Sequence, residues 1–287
     1  MEPSSRSRPV SATTPTASSS SSLGSRVVTA TILAAGATAA IGSTTVWPLM
    51  VATAVVGIVG LLELYSLRSR PYSRFGLGAA AAGLSLVATA LLPAPLGFLI
   101  PWTTGVAGLL LAAARPKDSL GLGLAIGWVI APLVAGVWLH QATAGPVWGM
   151  NLLWVAIAPL WFGDTAAYLV GKAVGRTPLA PRLSPKKTWE GAVANLGGCV
   201  MSAVLLGSAV GIPPASAALV GVMLGIAGQV GDLLQSAVKR AVDVKDSGFI
   251  LPGHGGVLDR LDSFFFAGPL AIIMLSQMVP HLFHVKP

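Results

Sequence analysis

Charged side chains are scarce along this chain. Asp, Glu, Lys and Arg make up 10% of its 287 residues, whereas water-soluble domains contain about 25%. Hydrophobic residues make up 54%, and a single water-soluble core cannot bury so many apolar side chains. The composition therefore excludes a soluble globular domain and predicts a polytopic membrane protein.

Cysteine is almost absent too. The single cysteine, Cys199, lies in an apolar stretch, so an internal disulfide is excluded and a zinc site is not expected. No phosphate-binding loop of the form GxxxxGK[ST] and no Ser-His-acid arrangement is found. The net charge is +8, but the cations lie in short segments without interleaved aromatic residues. Nucleic acid is therefore not expected as a partner.

Apolar stretches long enough to cross a bilayer, about 18–24 residues each, can be placed nine times. We therefore predict an all-α, polytopic integral membrane protein with about nine transmembrane helices. The predicted spans lie near residues 27–47, 48–65, 76–94, 96–114, 119–140, 147–171, 191–211, 213–234 and 263–283.

The cations fall on one side of this arrangement. With a cytoplasmic N-terminus, every Lys and Arg except Lys286 lies on the cytoplasmic side, and the opposite connections contain none. Cytoplasmic segments of membrane proteins are enriched in Lys and Arg. The pattern predicts a multi-pass protein of the cell membrane, with the segments near 172–190 and 235–262 facing the cytoplasm.

Residues 236–262 combine charges that are rare elsewhere. This segment contains four of the ten acidic residues and four of the eighteen cations: Asp243, Asp246, Asp259, Asp262, Lys239, Arg240, Lys245 and Arg260. Carboxylates suit a hard divalent cation, and cations around a Pro-Gly-His-Gly-Gly turn suit phosphate oxygens. The segment is therefore predicted to form a site for metal and phosphate.

The end of the predicted eighth span adds to this site. If the helix continues, Asp232, Ser236 and Lys239 with Arg240 share one face. An ionisable residue at membrane depth is a functional candidate. Asp259 follows just before the ninth span, and the intervening loop can bring it to Asp232 around a cation.

These residues resemble the motif of the phosphatidate cytidylyltransferases, also called CDP-diacylglycerol synthases. The matching positions are Ser236, Lys239, Arg240, Lys245, Asp246, Pro252, His254, Gly255, Gly256, Asp259, Arg260 and Asp262. The upstream stretches WFGDTAAY (161–168) and SPKKTWEG (184–191) agree with the family as well, and the resemblance covers residues 150–270. It implies transfer of a cytidylyl group from CTP to phosphatidate, with release of pyrophosphate, by a bacterial enzyme.

The composition of the chain suggests a domain organisation, and the resemblance implies a cofactor. Residues 1–26 are expected to form a disordered polar tail, 27–150 the N-terminal transmembrane helices and 151–287 the C-terminal transmembrane catalytic region. Mg²⁺ is the expected cofactor, and a second metal ion or a monovalent cation is left open. CTP, phosphatidate and membrane lipid are the expected partners, and a homodimer is a further expectation.

The expected roles of the site residues follow from the same match. Asp232 and Asp259 are predicted metal ligands, whereas Asp246 and Asp262 are either further ligands, residues that hold a ligand, or helix caps. Asp232, Asp259, Lys239 and Asp246 are the predicted catalytic residues. Predicted substrate contacts are Asp164, Ser184, Lys186, Lys187, Thr188, Ser236, Arg240, Lys245, His254 and Arg260.

Several of these residues have a plainer interpretation. The cations can be topology determinants, Ser184 or Thr188 can cap a helix, His254 can stabilise a turn, and Asp164 can be a packed hydrogen-bonding group. Glu63, near the end of the second span, is interpreted as structural or headgroup-facing.

Other functions remain open from the sequence. A cytidylyltransferase acting on another lipid phosphate, such as an isoprenoid one, is the alternative enzyme. A cation-coupled transporter would account for acids in the membrane, but not for Lys and Arg crowded beside them. A membrane scaffold explains the motif least.

Overall fold

Helices form most of the described part of the chain in the computed structural model, which describes residues 23–67, 77–81, 96–115, 119–142, 150–248, 250 and 255–279. The elements in chain order are α1 (Leu23–Ile41), α2 (Trp47–Ser66), α3 (Leu96–Ala114), α4 (Ser119–Leu124), α5 (Ile126–Gln141), α6 (Leu152–Val174), β1 (Pro178–Ala180), β2 (Ser184–Thr188), α7 (Trp189–Ala209), α8 (Pro214–Ala241) and α9 (Leu258–Met278). Residues 77–81 are also helical.

The predicted all-α membrane architecture is confirmed. Within the described ranges, six helices are long and apolar enough to cross a membrane: α2, Leu120–Gln141, α6, α7, α8 and α9. Val28–Ile41 and Leu99–Ala114 are shorter apolar helices. The count of about nine stays a prediction, because most of the predicted 76–94 span lies outside the described residues. Residues 1–22 of the predicted polar tail also lie outside them, and α1 begins at Leu23.

The helix starts follow local chemistry. Asn151 caps α6 by accepting from the backbone N–H groups of Leu153 and Trp154, at 3.1 and 3.3 Å. Thr188 caps α7 through the N–H of Gly191 at 3.2 Å. Of the two residues predicted as possible caps, Ser184 instead lies in β2, which pairs antiparallel with β1.

One helix start differs from its predicted span. Residues 119–140, predicted as one span, do form one candidate span, Leu120–Gln141, which a single turn residue, Ala125, divides into α4 and α5. The last helix begins at Leu258 rather than near residue 263. Asp259 and Asp262 therefore lie within the first turns of α9, and the prediction that Asp259 precedes the helix was wrong.

Contacts between successive helices place α9 beside the other elements of the site. α6 packs against α7, α7 against α8, and α8 against α9, while α3 and α5 also contact α8 and α9, respectively. Buried Trp128 of α5 meets the rings of Phe265 and Phe266 at 6.2 and 5.8 Å between centroids. The predicted N- and C-terminal helical regions therefore pack as one bundle.

Candidate active site

A polar cleft of about 500 Å³ lies between α6, β2, α7 and α8. Its walls include Asp164 of α6, Lys186 and Lys187 of β2, and Gln229 and Asp232 of α8. The cleft thus brings together several predicted site residues that are far apart in sequence.

The β1–β2 hairpin holds the two lysines at the cleft. Its base is fastened to the start of α7, because the N–H of Trp189 donates to the carbonyl of Thr177 at 2.9 Å. The Glu190 carboxylate accepts from the N–H and the hydroxyl of Thr177, at 3.2 and 3.0 Å. These bonds limit the freedom of the hairpin relative to α7.

An ion pair joins the hairpin to α8. Lys187 Nζ binds Asp232 Oδ2, and both side chains are about a quarter to a third exposed, at 30% and 26%. One turn further along α8, the Ser236 hydroxyl donates to Asp232 Oδ1 at 3.4 Å. The predicted shared face of Asp232 and Ser236 on a continuing helix is therefore confirmed.

Asp232 lies within a group of three acids that we call the acidic cluster: Asp164, Asp232 and Asp262. The charges of Asp164 and Asp262 both interact with that of Asp232. The positive charge of Lys187 attracts the carboxylates of Asp164 and Asp262, and that of Lys239 attracts the carboxylate of Asp262. A cation bound near the three carboxylates would offset their mutual repulsion.

Two amides support the acidic cluster and were missed by the sequence reasoning. Asn195 donates from Nδ2 to Asp164 Oδ1 at 3.1 Å, and Gln229 donates from Nε2 to Asn195 Oδ1 at 3.1 Å. Asn195 is buried. The available signal was the presence of two amide side chains inside predicted apolar spans, where polar groups need partners.

A second ion pair lies at the end of α8. Lys239 Nζ binds Asp259 Oδ1 at 2.6 Å, and the two side chains are only 11% and 7% exposed. Asp259 Oδ2 accepts from the N–H groups of Ser247 and Gly256, at 2.8 and 3.1 Å. Both oxygens of Asp259 therefore bind groups of the protein. The carboxylate connects the end of α8 to two backbone positions of the loop between α8 and α9.

The other predicted residues lie around this loop. Arg240 is exposed and donates to the carbonyl of Val244 at 3.1 Å. Lys245 and Asp246 are also exposed, and Asp246 lies close to Gly255. His254 lies outside the described residues.

The donor set bears on the predicted magnesium site. Among the described residues, no three His, Cys, Asp or Glu side chains form a ready-made metal site. Magnesium often needs only one or two carboxylates, because substrate phosphates and water complete its shell. Asp232 fits that demand best, because it lines the cleft and is partly exposed, and Asp262 is the neighbouring carboxylate. Asp259 fits it less well, since its side chain is only 7% exposed and its oxygens bind Lys239 and two backbone N–H groups.

An apolar cavity of about 140 Å³ adjoins the polar cleft. Side chains of α1, α2, α5, α6 and α9 line it, including Ala37, Val56, Leu133 and Phe264. Asp164 and Ser263 line both spaces, and Arg260 lies at the apolar cavity. A polar and an apolar compartment thus meet at the same residues.

Comparison with known proteins agrees with this geometry. A phosphatidate cytidylyltransferase of Bacillus subtilis is 44% identical over 134 residues, which is 45% of this chain and 49% of the relative. A phosphatidate cytidylyltransferase of Synechocystis is 41% identical over 136 residues, or 47% and 46% of the two chains. For the chloroplastic phosphatidate cytidylyltransferase 5 of Arabidopsis thaliana, the identity is 40% over 154 residues, or 53% and 36%.

The matched segments thus span about half, or less, of the length of these curated relatives. The model of the cytidylyltransferase family covers much more of the chain, since it matches residues 24–278. That match includes the cleft, the acidic cluster and the loop between α8 and α9. The chain belongs to the cytidylyltransferase family.

Proposed function

We propose that this protein transfers a cytidylyl group from CTP to phosphatidate, forming CDP-diacylglycerol and pyrophosphate. The observation that carries the proposal is the junction of the polar cleft with the apolar cavity at Asp164 and Ser263. A nucleotide needs a polar, charged site, whereas the acyl chains of a lipid need an apolar one. The names of the relatives support the same two substrates.

The hairpin side of the cleft suits the triphosphate. Lys186 is exposed, Lys187 faces Asp232, and Thr188 also lines the cleft. Trp189 is 56% exposed beside them and offers a ring surface to a nucleoside. The lysines would bind phosphate oxygens and stabilise the pyrophosphate that leaves.

The lipid phosphate is assigned to the other side of the junction. Arg260 lies where the apolar cavity meets Asp164 and Ser263, so its guanidinium is suited to a phosphate whose acyl chains extend into the cavity. The sequence analysis predicted Lys239 as a catalytic residue and Arg240 as a substrate contact. Lys239 instead binds Asp259, so its proposed task is to hold that carboxylate.

The reaction depends more on the positioning of the two substrates than on proton transfer. The attacking oxygen belongs to an anionic phosphate, so no strong general base is required. The residues of the cleft must hold that oxygen in line with the α-phosphorus and offset the charge of two phosphorylated substrates. Magnesium, when bound, would neutralise phosphate charge, and Asp232 and Asp262 would be its ligands from this chain.

The function is tested by incubating the purified protein with labelled CTP and phosphatidate. We expect a CDP-lipid and pyrophosphate in the presence of Mg²⁺, no product after chelation with EDTA, and recovery when excess Mg²⁺ is restored. Asp243→Asn serves as a control for the loss of a carboxylate outside the cleft, because Asp243 is exposed and lies in the loop. This variant should respond to Mg²⁺ and EDTA as the wild type does. Full turnover in EDTA would overturn the magnesium assignment.

The same assay separates the alternatives. An isoprenoid phosphate that outcompetes phosphatidate would favour the other lipid-phosphate enzyme. Absence of any CDP-lipid, together with cation-dependent uptake into vesicles, would favour a transporter. The homodimer remains a prediction.

We further propose that the site faces the cytoplasm, on the basis of the one-sided distribution of Lys and Arg, and that the protein is bacterial, as the Bacillus subtilis and Synechocystis relatives are. Single cysteines at the exposed residues Arg182 and Lys245 should resist an impermeant maleimide in intact cells and react after permeabilisation. Thr143→Cys, on the opposite predicted side, should react in both. The background is Cys199→Ser. Ser247 is unsuitable for labelling because it is 3% exposed.

Labelling of Lys245→Cys from outside intact cells would contradict the cytoplasmic orientation. Reaction of all three cysteines only after permeabilisation would show that residue 143 is not on the opposite side.

A further inference from the structure

Glu63 is a buried acid to which the proposed chemistry gives no role. It lies in the last turn of α2, and its side chain is 3% exposed. Glu63 belongs to neither of the two ion pairs of the site, Lys187–Asp232 and Lys239–Asp259. Its burial rules out the headgroup-facing interpretation. A buried carboxylate needs strong hydrogen bonds, so its partners indicate what it does.

The partners of Glu63 lie almost two hundred residues away. Oε1 accepts from the N–H of Val257 at 2.8 Å, and Oε2 accepts from the N–H of Leu258 at 2.9 Å. Oε2 also accepts from the Ser247 hydroxyl at 3.2 Å. The carboxylate therefore binds the middle of the loop that joins α8 to α9 and also the start of α9.

Glu63 takes the place of a helix cap for α9. The first N–H groups of a helix have no partner within the helix, and no side chain at the N-cap position, Val257, provides one. A negative charge at this end also interacts favourably with the helix dipole. The start of α9 at Leu258 is therefore determined by a side chain from α2.

Two glycines of the loop allow this approach. A Cβ atom added at Gly256 would lie 2.5 Å from Glu63 Oε2, and one added at Gly248 would lie 2.6 Å from Oε1. Either distance is too short for a real side chain. The Glu63 carboxylate can therefore pack this closely against the loop only because residues 248 and 256 have no side chain.

The same loop is held on its other side by Asp259. Asp259 accepts from the N–H groups of Ser247 and Gly256. Glu63 accepts from the Ser247 hydroxyl and from the two N–H groups that follow Gly256, at residues 257 and 258. A shift of the loop away from Glu63 would move the donors that orient Asp259, and with Asp259 its partner Lys239.

We propose that Glu63 is a positioning residue for the reaction, and that it acts by fixing the loop between α8 and α9 and thereby Asp259 and Lys239. This inference rests on the proposed function. It gives α2, a helix of the N-terminal region, a role in positioning the residues of the site.

The test compares Glu63→Gln with Asp243→Asn, a matched change of carboxylate to amide in the same protein. An amide at residue 63 can accept from one backbone N–H but presents its own NH₂ group to the other. We expect kcat to fall by about 10- to 100-fold, because a misplacement of about 1 Å can cost about 100-fold in rate. The KM for CTP should stay within about threefold, since uniform binding of the nucleotide is unchanged. Asp243→Asn should keep wild-type kinetics.

Hydrogen exchange supplies a measurement that does not depend on activity. In Glu63→Gln, the amides of residues 244–260 should exchange faster, while those of α5, α6 and α7 keep their wild-type rates. Ser247→Ala, which removes only one donor to Glu63, should produce a smaller change of the same kind.

Wild-type kcat in Glu63→Gln would overturn the proposal. So would faster exchange throughout the bundle with a large loss of thermal stability, because Glu63 would then be a general structural residue. Failure of the proposed function is a distinct result, since the wild-type protein itself would form no CDP-lipid.

Discussion

Asp232→Asn is expected to lower kcat by about 100- to 1000-fold, the range found when one group that stabilises transition-state charge is removed. Asp232 interacts with both other members of the acidic cluster and binds Lys187 from the hairpin. An amide there removes the charge that would hold a metal ion and leaves Lys187 without its ionic partner. The measurement is turnover of CTP with phosphatidate at saturating Mg²⁺.

The fold should tolerate this change. Both side chains of the Lys187–Asp232 pair are partly exposed, and such pairs contribute about 0–1 kcal/mol to stability. Melting in detergent should therefore be close to that of the wild type. Turnover of Asp232→Asn within a few-fold of wild type would refute a central role for this carboxylate.

Asp259→Asn is expected to lose both activity and stability. Lys239 and Asp259 are almost fully buried, and breaking a buried ion pair from one side typically costs about 3–5 kcal/mol because the remaining charge has no partner. The loop between α8 and α9 loses its charged anchor at the same time. Thermal unfolding and turnover should both be measured, because Asp232→Asn is expected to change only turnover.

A double variant separates the two effects. In Lys239→Met with Asp259→Asn, the amide oxygen can still accept from Ser247 and Gly256, and no unpaired ammonium remains. Much of the stability should return, since replacing both partners of a buried pair is often nearly neutral. Turnover should stay low. A double variant with wild-type turnover would show that this pair only stabilises the fold.

Much of the architecture could be predicted because it depends on local patterns. Apolar stretches of membrane-spanning length identified the positions of most helices, and helical spacing placed Asp232 and Ser236 on one face. Thr188 was a recognisable cap because a hydroxyl before a helix can accept from its first N–H groups. The residues of the motif were identified for the same reason, since their spacing is a property of the sequence alone.

The missed features depend on distant partners. The stretch Ser184–Thr188 contains a proline and two lysines and has little intrinsic tendency to form a strand, yet pairing with residues 178–180 makes it one. The start of α9 was placed too late because its cap comes from Glu63. The ion pair of Lys239 with Asp259 was not predicted, because nothing in the local sequence indicates that Lys239 turns toward that carboxylate.

The long separation between Glu63 and Leu258, 195 residues, also bears on the order of folding during synthesis. A chain is made from its N-terminus, and α2 therefore exists long before α9. Until α9 arrives, Glu63 lacks its backbone donors and Lys239 lacks Asp259, and burying either charge alone is strongly unfavourable. The earlier helices therefore cannot close around these two side chains, and docking of the last helix completes the interior and the loop between α8 and α9 in one step.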